Sequence, residues 1–252
     1  MTLSHVAREA SRPVIGKIAS FCRLVGPLPS TVAIQYHPFS ITKLTSRRNQ
    51  GGMKHINWTL LVAFILSVRL AHPVAAFTSE DATAAYKAGN YELALKIWRP
   101  LAEQGNGVAQ LRLSVMYAEG EGVPKDDAES LKWGRLAAEK GIVTAQLIMG
   151  ARYNEGRGVP KDAREAVKWF EKAANKGAAF GQFNLGLLYA GGLGIPQDKV
   201  QSFKWFTVAA AVFPPSSKQS AEAINNANLV AAKMTPAEIA EAQQLAKEWK
   251  PE

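Results

Sequence analysis

Four histidines (His5, His37, His55 and His72) and one cysteine (Cys22) are the residues of this 252-residue chain best suited to nucleophilic or metal chemistry. All five stand before Pro73, and the chain beyond carries neither type. That excludes Ser-His-Asp and Cys-His catalysis there. It also excludes zinc sites of nitrogen and sulfur ligands, and disulfides. Carboxylates remain: Glu119, Glu121, Glu155 and Asp162 stand near turns, and a close pair of such groups could exchange protons with a substrate. The stronger reading is structural. Asp126, Asp162 and Asp198 recur as helix caps, and glutamates near turns are ordinarily solvated. The glycine pairs Gly120/Gly122, Gly156/Gly158 and Gly192/Gly194 could cradle a phosphate, but they follow helical stretches rather than strands, so a structural turn is expected. No catalytic, cofactor or metal residue is expected.

The elements that hold these residues are one unit written three times. Trp133, Trp169 and Trp205 stand 36 residues apart, as do Tyr117, Tyr153 and Tyr189, the prolines Pro124, Pro160 and Pro196, and the aspartates Asp126, Asp162 and Asp198. So many columns at one step mean a repeat array. Each unit reads as helix, turn, helix. Thr144 to Asn154 is apolar-rich and of helical length. Glycines and a proline then end it, and Asp162 caps a second helix, with Glu165 in the capping-box position. The same box is expected at Asp126 with Glu129 and at Asp198 with Gln201. Small columns such as Ser114/Gly150/Gly186 let helices approach. Large columns, the tryptophans among them, fill the space between. Neither helix buries its face alone, so the units must stack.

The run Q-x-x-L/M-G/S-x-x-Y-x-x-G-x-G-V/I-P-x-D, followed by A/S-x-K-W-x-x-x-A-A, resembles the Sel1-like repeat, a relative of the tetratricopeptide repeat. The resemblance implies an all-α, right-handed α/α solenoid of helix pairs. It covers three units, 108–141, 142–177 and 178–213, with Tyr117, Gly122, Asp126, Trp133, Tyr153, Gly158, Asp162, Trp169, Tyr189, Gly194, Asp198 and Trp205 as repeat-structural positions. Two departures stand out: Ser114 in a glycine column, and Phe213-Pro214-Pro215 where a glycine should end the third helix pair. The second suggests that the regular array stops there. Residues 77–107 read as an N-terminal capping unit of the tetratricopeptide kind and 214–252 as C-terminal capping helices, the last opening at Thr235-Pro236-Ala237-Glu238.

The formal charge of +9 belongs to the leader. From Phe77 onward 21 basic and 20 acidic residues nearly cancel, so the array offers no electrostatic argument for nucleic acid. Met53-Lys54-His55, the apolar run Trp58–Val68, then Val74-Ala75-Ala76 have the layout of a secretory signal peptide over 53–76, with cleavage expected between Ala76 and Phe77. This run of eleven residues is too short to span a bilayer, which needs about 20. The expectation is therefore an exported, periplasmic or secreted protein without stable membrane insertion. Residues 1–52 are expected to be a disordered extension ahead of the true start, the alternative being a transit peptide.

Columns that vary while the frame stays fixed are where a partner is expected. By analogy with the tetratricopeptide array, the first helices face the concave side. The partner-binding set is then Val108, Arg112, Val115, Thr144, Ile148, Ala151, Asn154, Phe180, Asn184 and Leu187. Arg152 stands where its column carries Met116 and Leu188, and is expected to snorkel to the surface, the alternative being that it marks a polar contact. The function expected is a monomeric protein–protein interaction scaffold of the bacterial envelope that binds a peptide or helix. Alternatives are an envelope hydrolase or β-lactam-binding protein, and a glycan binder with Phe180 as the aromatic platform.

Overall fold

The computed structural model describes residues 77–252. The proposed leader segments 1–52 and 53–76, with Ala76 of the cleavage bond, lie outside the described residues, while Phe77 is exposed. Ten helices follow in order: α1 (Ser79–Lys87), α2 (Tyr91–Glu103), α3 (Gly107–Glu119), α4 (Asp127–Glu139), α5 (Val143–Glu155), α6 (Ala163–Asn175), α7 (Ala179–Gly191), α8 (Lys199–Val212), α9 (Lys218–Ala231) and α10 (Pro236–Glu248). Among the described residues every regular element is helical. Each helix from α1 to α8 packs on the next in sequence, and α10 packs on α8. This is an all-α helix-pair solenoid, with α3–α4, α5–α6 and α7–α8 as its three regular units.

Turn chemistry repeats with the sequence. Gly120, Gly156 and Gly192 end the first helices in the left-handed conformation, at φ 76°, 77° and 62°. Two residues on, Gly122 and Gly194 touch the preceding unit. A β-carbon at Gly122 would stand 2.9 Å from the Tyr91 carbonyl carbon, and at Gly194 2.4 Å from that of Ala163. Each such turn therefore rests on the first turn of the second helix one unit earlier, so these glycines fix stacking as well as chain reversal. Asp126, Asp162 and Asp198 donate their backbone N–H to the carbonyls of Tyr117, Tyr153 and Tyr189, at 2.9, 2.9 and 3.1 Å.

Those aspartates also cap α4, α6 and α8. The Asp126 carboxylate accepts from Ala128 and Glu129 N–H, that of Asp162 from Arg164 and Glu165, and that of Asp198 from Gln201. The reciprocal half of the expected capping box is not formed. Glu129 instead accepts from Lys132 and, at 3.0 Å, from the Trp133 indole N–H, and Glu165 pairs with Lys168. Full capping boxes occur at Thr78–Asp81 and Thr235–Glu238.

The tryptophan column is not the deepest part of the core. Trp169 and Trp205 are buried and Trp133 half-buried. The column one residue later goes deeper: Trp98, Phe170 and Phe206 are among the largest fully enclosed side chains. Gly150 and Gly186 make room for two of these rings, since a β-carbon at either would come within 2.7 Å of the ring opposite. In α4 the ring is missing. Gly134 faces Ser114, and Ser114 and Ser130 donate hydroxyl hydrogen bonds to each other's backbone carbonyls at 2.7 Å. A further column does work that its type did not announce. Gln110, Gln146 and Gln182 donate their amides to the carbonyls of Ala102, Ala138 and Ala174, adding a second bond to the one each carbonyl accepts from the glycine N–H after α2, α4 and α6.

Candidate functional site

The expected partner-binding strip is not a continuous exposed ladder. Val108 is exposed, and Val115 and Asn154 are half-buried. Arg112, also half-buried, lays its guanidinium 5.8 Å from the centre of the Trp98 ring. Ile148 and Ala151 are buried within the central core cluster. Leu187 is buried in a core cluster with Phe203 and Phe206 of α8 and Ala227 and Val230 of α9. Asn184 is buried too, its amide turned back to the Phe180 carbonyl at 2.7 Å. These four corrections share one cause. Neighbouring helices wrap further around the first helices than one-residue offsets along a helix suggest.

Thr144 and Phe180 are brought together. With Val143, Leu147, Phe213 and Pro214 they line an apolar cavity of about 530 Å³. The N-terminal turns of α5 and α7 form one side, and the connection from α8 to α9 forms the other. Ser217 and Gln219 supply polar groups at its border. Phe213 is the wall that matters. It sits in the column that carries Gly141 and Gly177, and its ring meets Phe180 edge-on at 5.1 Å and Phe183 at 6.5 Å. The break in the repeat therefore builds the cavity: a glycine there would have no ring to close it. Leu147, Phe213 and Pro214 were absent from the expected set, although the departure at Phe213-Pro214 was visible in the sequence. Phe180 does not present a free flat ring, which a sugar-stacking platform requires.

The carboxylates near the turns do not converge. Glu121 accepts from the Tyr86 hydroxyl at 2.5 Å, which together with burial pushes the phenol pKa well above its ordinary value. Asp162 is occupied as a cap. Glu155 lies 2.7 Å from Arg157, and burial raises its pKa against that cation. Glu121 and Glu155 belong to successive units and hold separate partners. Among the described residues no group of three or more His, Cys, Asp or Glu is placed to hold a metal ion, and no helix is long and apolar enough to cross a membrane.

Arg152 takes the alternative reading, a polar contact. It is 7% exposed rather than snorkelling, donates to the Ser130 hydroxyl at 2.5 Å, and has its basicity lowered by burial. Its role is to join α5 to the Ser114–Ser130 clasp of the preceding unit.

Comparison with known proteins agrees with this architecture. The Sel1 repeat profile matches residues 84–106, 107–142, 143–177 and 179–211. The chain belongs to the Sel1 repeat family. The first match falls on α1–α2, so the pair read as a cap is matched as a repeat as well. Solved structures similar to this Sel1 repeat chain include a Sel1 repeat protein from Oxalobacter formigenes, with 34% identity over 52% of this chain and 97% of that one, at a TM-score of 0.48. Another is c5321, a protective antigen of uropathogenic Escherichia coli strains with an SLR fold, with 26% identity over 74% of this chain and 47% of that one, at a TM-score of 0.47. No curated protein matches the sequence. Sel1 repeat proteins are in general non-catalytic scaffolds that mediate protein–protein interactions.

Proposed function

We propose that this chain is a protein–protein interaction scaffold of the bacterial cell envelope, and that its partner seats an apolar side chain in the cavity between α5 and α7. The observation that carries the reading is the cavity itself, lined by half-buried Thr144 and Phe180 and by buried Leu147 and Phe213. Its volume lies within the usual range for ligand sites, about 300–1,000 Å³. Burying one Leu- or Phe-sized anchor contributes about 1.5–3 kcal/mol, and flanking residues of a peptide or helix would add to it. Binding is by shape, with no covalent step. The envelope location rests on the signal-peptide layout of residues 53–76, and export would leave the array free of cysteine and histidine.

The test is capture of partners from envelope extracts by the tagged protein, in parallel with a Thr144→Glu variant. A carboxylate in the first turn of α5 is compatible with the helix dipole, so the array should stay folded while the lining of the cavity becomes charged. The reading expects one or more proteins retained by the parent and lost by the variant. Equal retention by both would remove the cavity from the account. Location is checked separately by fractionation and N-terminal sequencing: a mature species beginning at Phe77 in the periplasm is expected, and a cytoplasmic species retaining residues 1–52 would contradict it.

A further inference from the structure

The segment after α10 sits where the register of the array leaves a gap. At Gly105 the neighbour is Lys140, one unit on, whose amino group lies 3.6 Å from the site of a β-carbon. At Gly141 it is Lys176, which donates to the glycine carbonyl at 2.9 Å. The next residue in that series is Val212, which is exposed. Pro251 takes the place beside Gly177 instead, 3.6 Å from its β-carbon site. Glu252 donates its backbone N–H to the Asn175 carbonyl at 2.7 Å, and the Asn175 amide donates to the Glu252 carboxylate at 3.0 Å. Trp249 meets Trp205 edge-on at 5.9 Å. The seat on α6 and α8 thus holds a short extended peptide carrying Trp, Pro and an acidic residue, delivered by an amphipathic helix.

The helix that delivers it is the most lightly held of the array. Ala242 is the sole fully buried residue of α10, whereas α6 buries Ala166, Val167, Trp169, Phe170, Ala173 and Ala174. α10 packs on α8 rather than on α9, the helix it follows. The link between them, Ala232–Met234, is short, and Thr235 beyond it is extended, at ψ 159°. Lifting α10 therefore disturbs little besides its seat. A second copy's α10 would restore the same contacts, so the balance between closed monomer and exchanged pair is set by concentration and by the hinge.

We propose that α10 and Trp249–Glu252 exchange between two copies of this chain, the seat on α6 and α8 of one accepting the segment of the other in a closed two-fold dimer. The test uses full chains in which Cys22, the only cysteine, is replaced by serine. One chain carries Asn175→Cys, and the other, differently tagged, carries Glu252→Cys. Under mild oxidation the mixture should form a disulfide-linked heterodimer whose yield rises with concentration and is lost when Trp249→Ala is added to the second chain. A single chain carrying both cysteines should close on itself when dilute. Self-closure of that chain with no linked heterodimer in the mixture would make the segment a fixed cap and overturn the exchange. So would a heterodimer indifferent to Trp249→Ala, which would report random collision. Failure of the doubly substituted chain to close would show that the seat is not occupied in solution and would overturn it at the first step.

Discussion

In the first regular unit Gly134 faces Ser114, and two serine hydroxyls clasp the helices. In the second and third, Phe170 and Phe206 lie flat against Gly150 and Gly186. The glycine turns, the aspartate caps and the bond from each Asp N–H to a Tyr carbonyl recur throughout, so one frame holds two interiors. The difference teaches that columns within a unit are coupled. In these units a ring in the second helix lies against a glycine in the first, and where the ring is missing a further hydroxyl, that of Ser114, enters and bonds. It also explains Arg152, which occupies an apolar column because the clasp next to it offers the Ser130 oxygen.

The comparison can be broken at several points. The largest effect belongs to the ring. Phe170→Ala should lower stability by about 3–5 kcal/mol, as for other enclosed aromatics, with a matching fall in melting temperature. Loss of less than about 1 kcal/mol would show that the second unit does not depend on its ring. Next comes Gly150→Ser, which places the first unit's residue in the second. With Phe170 present it should cost about 1–3 kcal/mol by overpacking. Combined with Phe170→Gly, the added cost of the serine should shrink or vanish, and a double-mutant cycle by chemical denaturation would measure that coupling. Strict additivity would mean that the two columns are independent.

A smaller effect of opposite sign is expected at Arg152. Its guanidinium is buried and makes no ion pair within 4.0 Å among the described residues. Arg152→Met restores the type found at Met116, and should raise stability by about 1 kcal/mol, because Ser130 keeps its bond to Ser114. A drop of similar size would show that the link to Ser130 outweighs the cost of burying the charge.

The smallest effect is a pH dependence. Arg99 and Arg135 donate to the hydroxyls of Tyr117 and Tyr153, but the equivalent residue facing Tyr189 is Glu171. Burial raises the Glu171 pKa. The folded state then holds its proton more tightly than the unfolded state, so this contribution to stability declines as pH rises from the ordinary carboxylate range through the raised value. Glu171→Gln should remove that decline and lift the melting point at neutral pH by less than about 2 °C, the group being half-exposed. Identical melting–pH profiles for parent and variant would show that the third junction does not register the charge.

The backbone was legible from the sequence because turn chemistry is local: the glycine pairs, Asp126, Asp162, Asp198 and the Thr235 capping box each act within a few residues. Burial was less legible because it depends on which helix covers which. Asn184 and Leu187 read as open flank positions until the Phe180 carbonyl and the cluster shared by α8 and α9 are in place. The cavity had a readable sign, since Phe213 broke a glycine column, but that sign gave the end of the array and not the wall of a site. Phe170 reads as an apolar position of its helix, but the column it shares with Phe206 does not stand out because Gly134 interrupts it, whereas the tryptophans beside them recur without a gap.

The central claim, that the cavity between α5 and α7 is where a partner docks, is tested most directly by measuring the affinity of a captured partner for the parent and for Thr144→Glu, with melting recorded on the same samples. The account predicts that the variant melts with the parent and binds at least about tenfold more weakly, a difference of about 1.4 kcal/mol. Equal affinity at equal melting temperature would contradict it and place the partner elsewhere on the solenoid.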